Sequence, residues 1–216
     1  MRHPLIGVLA LQGDVAEHEG SLRKAGALPS RVRGPGDLRD LDGLVIPGGE
    51  STTIGALAKE HGLMEPIRAL MASGAPVWGT CAGLILLARD TADVVPLIGG
   101  LDIAVDRNAF GRQVDSFEVS LEVRGLDGPP FPAVFIRAPA VREVGPEVEV
   151  LARLDDGTIV AVAQGRRLGC AFHPELTSDL RLHRLFVGWC LPTPQGAAEA
   201  EVASAAGPSR GTAEAR

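Results

Sequence analysis

Aromatic side chains are scarce in this sequence, and acidic side chains outnumber basic ones. Its 216 residues include no tyrosine, six phenylalanines and two tryptophans, and the formal net charge is −6. Nucleic-acid-binding proteins use a positive surface and aromatic platforms on which bases stack, and this composition supplies neither. We therefore expect a small molecule or another protein, and not a nucleic acid, as the binding partner.

Cysteine is also rare, with Cys81, Cys170 and Cys190 only. An odd number without a C-x-x-C pair indicates neither a disulfide framework nor a zinc site, and it is typical of a protein from the reducing cytoplasm. The apolar run over 75–88 is shorter than the roughly 18 residues of a membrane span. We expect a cytoplasmic protein that uses no metal, no cofactor and no membrane segment.

Short apolar runs alternate with helical segments in the first half of the chain. Strands are predicted over 5–11, 31–33, 44–46 and from 76 to the turn at Cys81, and helices over 15–25, 54–73 and after Cys81, with breaks near Gly62 and Pro66. This alternation predicts an α/β fold with a mostly parallel, doubly wound sheet.

The second half is richer in predicted strands, which lie over 114–123, 133–136, 148–154, 158–163 and 168–172. Asp155-Asp156-Gly157 is a hairpin turn signal between two of them, and a last helix is predicted over 179–190. From residue 192 the composition turns to Ala, Gly, Ser and Glu without an apolar face. We expect one domain over 1–191 and a flexible tail over 192–216.

The segment Gly79-Thr80-Cys81-Ala82-Gly83 joins an apolar strand to an apolar helix. Its G-x-C-x-G pattern is the thiol counterpart of the G-x-S-x-G nucleophile elbow, whose glycines allow a strained turn and close packing. A cysteine at a helix N-terminus is favoured as the thiolate, and neighbouring amides can stabilise an oxyanion. The pattern indicates a nucleophile, although by itself it also fits a cysteine buried as a small hydrophobic residue.

A cysteine nucleophile needs a base, and the sequence offers five histidines. Four of them fit surface or helix-packing positions: His3, His18, His61 and His183. His173 instead follows the predicted strand over 168–172 and precedes Pro174-Glu175. Residues two apart in extended backbone point the same way, which predicts that Glu175 reaches and orients the imidazole. The alternative is a strand-end histidine paired with a surface glutamate.

Three further segments offer polar groups to a substrate, and each also fits a plain turn or strand end. After a predicted strand, the amide of Gly49 can face an oxyanion, while Glu50 and Ser51 can contact a small ligand. Arg107 opens a polar loop and can bind a carboxylate. The backbone at Ile136-Arg137 can likewise meet a ligand.

Six segments carry a family resemblance by their order along the chain. They are Leu9-Ala10-Leu11-Gln12-Gly13, Pro47-Gly48-Gly49-Glu50-Ser51-Thr52-Thr53, Gly79-Thr80-Cys81-Ala82-Gly83, Arg107-Asn108-Ala109-Phe110-Gly111-Arg112-Gln113, Phe135-Ile136-Arg137-Ala138-Pro139 and Phe172-His173-Pro174-Glu175. Over about residues 5–191 the chain resembles the glutaminase subunits of pyridoxal 5′-phosphate synthase, the PdxT family of class I (triad) glutamine amidotransferases. The elbow and His-Pro-Glu are shared by many class I amidotransferases and identify only the superfamily, whereas the second and fourth segments are much more specific. Two features depart from the pattern. It does not explain the tail after residue 191, and we interpret Cys170, which lies near His173 in the sequence, as a packing residue.

The resemblance implies a fold, a reaction and a partner. It implies a flavodoxin-like, three-layer fold with antiparallel strands added to a mostly parallel central sheet. It implies hydrolysis of L-glutamine to L-glutamate and ammonia. It also implies a barrel-shaped synthase subunit, PdxS, which joins this chain in a large hetero-oligomer and uses the ammonia, a pentose phosphate and a triose phosphate to build pyridoxal 5′-phosphate (vitamin B6).

The resemblance also implies site residues. The implied catalytic triad is Cys81, His173 and Glu175, and the implied oxyanion donors are the amides of Gly49 and Ala82. The implied glutamine contacts are Gly49, Glu50, Ser51, Arg107, Ile136 and Arg137. Because ammonia must not escape into water, we expect weak hydrolysis by the chain alone, strong hydrolysis with the partner, and a docking face near the helix over 15–25.

Two alternatives stay open on the sequence. The chain can serve another class I amidotransferase, such as imidazole glycerol phosphate synthase, or it can be a catalytically silent module that regulates a partner. The intact Cys81, His173 and Glu175 speak against a silent module.

Overall fold

Twelve strands and five α-helices make up the part of the chain that the computed structural model describes, residues 2–107, 109 and 116–192. The strands are β1 Leu5–Leu9, β2 Leu28–Val32, β3 Gly43–Ile46, β4 Val77–Thr80, β5 Ala88–Thr91, β6 Leu101–Asp106, β7 Ser116–Leu121, β8 Phe131–Ile136, β9 Ala140–Val144, β10 Glu149–Arg153, β11 Ile159–Gln164 and β12 Arg167–Cys170. The helices are α1 Val15–Lys24, α2 Ser51–Glu60, α3 Met64–Ala72, α4 Ala82–Leu87 and α5 Arg181–Trp189, with 3₁₀ turns at Pro35–Leu38 and Pro174–Leu176. In this described part, no helix combines the length and the apolar character of a membrane span.

Ten of the strands form one mixed sheet. Its order is β2-β1-β3-β4-β12-β11-β9-β6-β5, with β10 paired to β11. The strands from β2 to β12 in this order are parallel to their neighbours, as β5 is to β6, whereas the pairs among β12, β11, β10, β9 and β6 are antiparallel. Strands β7 and β8 form a separate antiparallel pair. The predicted α/β fold, with antiparallel strands added to a parallel sheet, is confirmed.

The parallel half of the sheet is stable because its central strands bury both faces. All four residues of β3 and all four of β4 are buried, as expected for parallel strands covered by helices on both sides. Helix α1 contacts α5, and α2 contacts α4. Trp78 of β4 is fully buried against His183 and Phe186 of α5. This packing fixes the strand ends that carry the polar residues described below.

Several predicted boundaries differ from the structure. The helical region over 54–73 breaks at Gly62 as predicted, but the break predicted at Pro66 is wrong. Pro66 lies in the first turn of α3, where the backbone N–H has no partner within the helix and proline removes no hydrogen bond. Strands β5, β6 and β9 were not among the predictions. Residues 114–115 of a predicted strand and residues 193–216 of the predicted tail lie outside the described residues.

Candidate active site

Four neighbouring parallel strands end at one edge of the sheet, and a polar or nucleophilic residue follows each. Asp14 follows β1, Glu50 follows β3, Cys81 follows β4 and His173 follows β12. Open α/β sheets bind ligands at the carboxyl ends of their strands. A cleft of about 310 Å³ opens at this edge, which is the size of a pocket for a small metabolite.

Nine of the ten residues named from the sequence line this one cleft. They are Gly49, Glu50, Ser51, Cys81, Ala82, Arg107, Ile136, Arg137 and His173. The tenth, Glu175, is buried behind His173. The remaining lining residues are Gln12, Asp14, Ile85 and Leu176. Of the polar loop that begins at Arg107, Asn108 and residues 110–113 lie outside the described residues.

Cys81 occupies a strained turn between β4 and α4. Its backbone has φ 48° and ψ −103°, a conformation that side-chain-bearing residues rarely adopt and that is found at functional sites. A Cβ on Gly79 would lie 2.4 Å from the backbone of Gly83, and a Cβ on Gly83 would lie 2.0 Å from the carbonyl oxygen of Ile46. The elbow therefore needs glycine at both positions. The Cys81 sulfur lies 4.0 Å from the carbonyl oxygen of Ile136.

The imidazole of His173 contacts two carboxylates. Its Nδ1 lies 2.7 Å from Oε1 of Glu175 and 3.3 Å from Oδ2 of Asp14. The predicted contact between Glu175 and His173 is present, but the prediction that extended backbone produces it is wrong. Residues Pro174–Leu176 form a 3₁₀ turn, because proline at the first position of a helical turn fits its φ angle. The turn brings Glu175 back towards the imidazole.

The charges around His173 favour its protonated form. Burial acts to lower the pKa of His173, but hydrogen bonds with Asp14, Cys81 and Glu175 outweigh burial and raise the pKa to about 12. Burial raises the pKa of Glu175, and the hydrogen bond with His173 acts against that rise. Glu175 is the closer and the more deeply buried of the two carboxylates, so its contact defines the imidazole orientation. With Nδ1 directed at the carboxylates, Nε2 is the nitrogen left for the Cys81 sulfur.

Glu50 and Arg107 form a charged wall of the cleft. Nη2 of Arg107 donates to Oε1 of Glu50 at 2.9 Å, while Oε2 of Glu50 accepts from the backbone N–H of Thr53 at 2.7 Å and from the Thr52 hydroxyl. Burial acts to raise the pKa of Glu50, but the hydrogen bonds from Thr52 and Thr53 lower it to about 2. The side chain of Gln12 accepts from the Glu50 N–H at 2.8 Å. A fixed guanidinium and carboxylate suit the two charges of an amino acid.

The β7–β8 pair supplies the opposite side of the cleft. The N–H of His173 donates to the carbonyl of Val134 in β8 at 2.8 Å, which ties the pair to the histidine. Strand β8 ends at Ile136, and Arg137 follows with a positive φ of 42°. The sharp turn at Arg137 leaves the Ile136 carbonyl facing the Cys81 sulfur.

Asp14, His173 and Glu175 also form a group with metal-ligand chemistry. In the described part of the chain their ligand atoms lie within 4.8 Å of one another. However, Nδ1 of His173 already contacts both carboxylates at hydrogen-bonding distances. The arrangement therefore fits a hydrogen-bonded acid–base pair better than a cation site.

Sequence reasoning missed two residues beside this pair, Asp14 and His18. His18 is fully buried, with Nε2 3.0 Å from the Thr80 hydroxyl and 3.3 Å from Oε2 of Glu175. A signal existed, because Leu22 lies four residues later on the same helix face and belongs to the core. Asp14 is marked only by its position just after the first strand.

Comparison with known proteins decides the family. A family model described as the SNO glutamine amidotransferase family matches residues 8–191. This chain belongs to that family. The amidotransferase is 62% identical to "Pyridoxal 5′-phosphate synthase subunit PdxT" of Parafrankia sp. over a match of 190 residues. This match covers 87% of this chain and 93% of the relative. It is 57% identical over 187 residues to the PdxT subunit of Clavibacter sepedonicus, over 85% of this chain and 90% of the relative.

Solved structures agree with this assignment. A crystal structure of a glutamine amidotransferase, 49% identical, matches the amidotransferase with a TM-score of 0.81 over 86% of this chain and 98% of that chain. The structure of PurLQS from Thermotoga maritima matches with a TM-score of 0.59 over 88% of this chain and 95% of that chain. At 19% identity the second likeness concerns the fold alone. The family resemblance read from the six segments is confirmed.

Proposed function

We propose that this amidotransferase is the glutaminase subunit of a pyridoxal 5′-phosphate synthase. It hydrolyses L-glutamine to L-glutamate and ammonia, and it delivers the ammonia to the synthase subunit. The observation that carries the proposal is the meeting of Cys81 and the His173–Glu175 pair in one cleft. Membership of the glutamine amidotransferase family and the PdxT relatives support the reaction and its pathway.

The first half of the proposed reaction makes a thioester. The Cys81 thiolate attacks the side-chain amide carbon of glutamine, and the amides of Gly49 and Ala82 hold the oxygen that becomes negative. His173 carries the proton that the leaving group needs, because its pKa is raised to about 12. As the carbon–nitrogen bond breaks, this proton moves to nitrogen, and ammonia departs.

The second half releases glutamate. His173, now neutral, takes a proton from water, and the resulting hydroxide attacks the glutamyl thioester carbon. The carbon–sulfur bond breaks, which regenerates the Cys81 thiolate, and His173 keeps the proton for the next cycle. Glu175 stabilises the imidazolium at each stage, because its Oε1 accepts from Nδ1 at 2.7 Å.

Binding of the amino-acid end of glutamine is assigned to the charged wall and to the β8 end. In this proposal Arg107 binds the α-carboxylate, Glu50 binds the α-ammonium group, and Ser51 and the backbone of Ile136-Arg137 complete the contacts. The 2.9 Å ion pair between Arg107 and Glu50 supports it, because a ligand with both charges can insert between them without leaving either charge unpaired.

The proposal includes the setting of the reaction. The glutaminase domain comprises residues 1–191, with 192–216 outside it, and it works in the cytoplasm within a hetero-oligomer with the PdxS-type synthase subunit. Three cysteines without disulfides suit a reducing compartment. Docking raises the hydrolysis rate, because ammonia made without the partner would be lost to water.

The test is ammonia release from glutamine, measured with and without the cognate synthase subunit. We expect turnover that rises on adding the partner and that falls by at least about 10³-fold in Cys81→Ala. Cys190→Ala is the matched control, since Cys190 is a buried cysteine at the end of α5, away from the cleft, and it should retain turnover. Turnover that survives Cys81→Ala would refute the proposal.

A further inference from the structure

A buried polar cluster lies directly behind the cleft. It consists of His18 on α1, Thr80 at the end of β4, Glu175 and His183 on α5, and all four residues are buried. Nε2 of His18 lies 3.0 Å from the Thr80 hydroxyl and 3.3 Å from Oε2 of Glu175. Nδ1 of His18 lies 3.4 Å from Nε2 of His183. The cluster therefore runs from α5 through α1 to the carboxylate that contacts His173.

The outer oxygen of Glu175 depends on this cluster. Oε1 faces His173, but among the described residues Oε2 has no hydrogen bond of normal geometry, and its side chain is fully buried. A buried carboxylate oxygen without a donor is rare in native proteins, because it has lost its water. His18 Nε2, at 3.3 Å, is placed to supply that donor. A carboxylate held only at Oε1 would be free to rotate away from the imidazole.

His18 can supply a donor without supplying a charge. Burial, followed by the nearby charges of His183 and His173, lowers the pKa of His18 well below its ordinary value. A charged His18 would compete with His173 for Glu175, whereas a neutral imidazole contributes one N–H and leaves the carboxylate negative. Its removal should therefore weaken the hold on Glu175 and leave the overall charge of the site unchanged.

The surroundings decide which nitrogen of His18 carries the proton. A lone pair on Nε2 would face the Glu175 carboxylate at 3.3 Å and be repelled, whereas an Nε2–H can be shared between Oε2 of Glu175 and the Thr80 hydroxyl oxygen, which lies 3.0 Å away, so the proton belongs on Nε2. Nδ1 then accepts from Nε2–H of His183 at 3.4 Å. This leaves Nδ1 of His183 as a buried acceptor without a partner among the described residues, which costs less than an unpaired buried donor.

We propose that His18 is a positioning residue for glutamine hydrolysis, whose Nε2–H holds the outer oxygen of Glu175 so that this carboxylate keeps His173 aligned with Cys81. The inference rests on the proposed function. It also gives α1 a role, because the helix that starts beside Asp14 carries His18 into contact with the acid–base pair. His18 itself does not line the cleft.

A pair of variants separates positioning from packing. The amide nitrogen of glutamine takes the place of Nε2, so His18→Gln keeps the donor to Glu175, whereas the amide nitrogen of asparagine takes the place of Nδ1 and His18→Asn removes that donor. In the complex with the synthase subunit, we expect kcat within about threefold of wild type for His18→Gln and about tenfold or more below it for His18→Asn, with KM unchanged in both. His61→Asn, at an exposed histidine, is the control and should match wild type. Equal kcat values for the two His18 variants would overturn the proposal.

A measurement on the wild-type chain covers the case in which a variant does not fold. Nitrogen-15 spectra of histidine-labelled protein should show His18 neutral with the proton on Nε2 at neutral pH. A proton on Nδ1, or a doubly protonated ring, would overturn the proposal. If wild-type protein with its partner released no ammonia, the proposed function would fail, while the spectra would still decide whether His18 carries the Nε2 proton that this inference requires.

Discussion

Replacing Glu175 by glutamine tests the acid–base pair without changing its shape. The glutamine amide oxygen can still accept from Nδ1 of His173, which lies 2.7 Å from Oε1 in the wild-type protein. The negative charge, however, is lost from a buried position. The imidazolium then has a weaker counter-charge, so the state of His173 that protonates the leaving nitrogen in the proposed reaction becomes less stable.

The size of the effect follows from what remains beside His173. Loss of the orienting carboxylate of a catalytic triad lowers kcat by up to about 10⁴-fold. Here Asp14 stays 3.3 Å from the same nitrogen, although its side chain is one-third exposed at 34%. Its charge is therefore partly screened by water, and it offsets only part of the loss. We expect kcat to fall by about 10²- to 10³-fold, with little change in KM.

The assay is steady-state ammonia release by the complex with the synthase subunit. Glu147→Gln, at an exposed glutamate before β10, is the matched control and should leave both constants unchanged. A fall of less than about threefold in Glu175→Gln would refute the role given to the carboxylate. A rise in KM with kcat unchanged would instead place Glu175 in substrate binding.

Two further predictions concern stability. Gly83→Ala should lower the free energy of unfolding by about 3 kcal/mol or more in urea titrations, because the new Cβ would lie 2.0 Å from the Ile46 carbonyl oxygen. The control is Gly188→Ala on α5, where a new Cβ would meet no heavy atom within 4 Å and the change should be neutral or stabilising. Equal effects of the two substitutions on the free energy of unfolding would contradict the packing argument. The pKa of Glu50 is lowered from 4.5 to about 2, so its contribution is complete above pH 4.5 and is lost as the pH falls towards 2. Wild type should therefore exceed Glu50→Gln in unfolding free energy at about pH 6 and lose most of that advantage near pH 2, and an advantage that grows on acidification would contradict the sign.

The sequence predicts those parts of the fold that short-range patterns determine. Apolar runs that end in glycine-rich turns predict β1, β3 and β4, because strands buried on both faces need apolar residues throughout. Strands β5 and β9 escape prediction, because most residues of Ala88–Thr91 and Ala140–Val144 are exposed or half-buried and neither segment is a continuous apolar run. Strand β5 is extended because it pairs with β6, and β9 because it pairs with both β6 and β11. Pairing of this kind leaves no signal within the segments themselves.

The same distinction applies to the candidate site. The order of the motifs predicts that the cleft residues lie close together, since the carboxyl ends of parallel strands share one edge of a sheet. The contact of His18 with Glu175 is harder to predict from the sequence than the cleft residues are. The burial of His18 depends on packing between α1 and α5, which are far apart in the sequence. The route to Glu175 was also misjudged, because a proline after a strand equally well begins a helical turn.

In the proposed reaction, formation of the thioester on Cys81 is the step from which the rest follows. The most direct measurement is the intact mass of the chain after acid quenching of its complex with the synthase subunit during turnover of glutamine. We predict that a glutamyl adduct appears, maps to the peptide that contains Cys81, and disappears when glutamine is exhausted. Full turnover without an adduct at any quench time, or an adduct on Cys170 or Cys190 instead, would contradict the account.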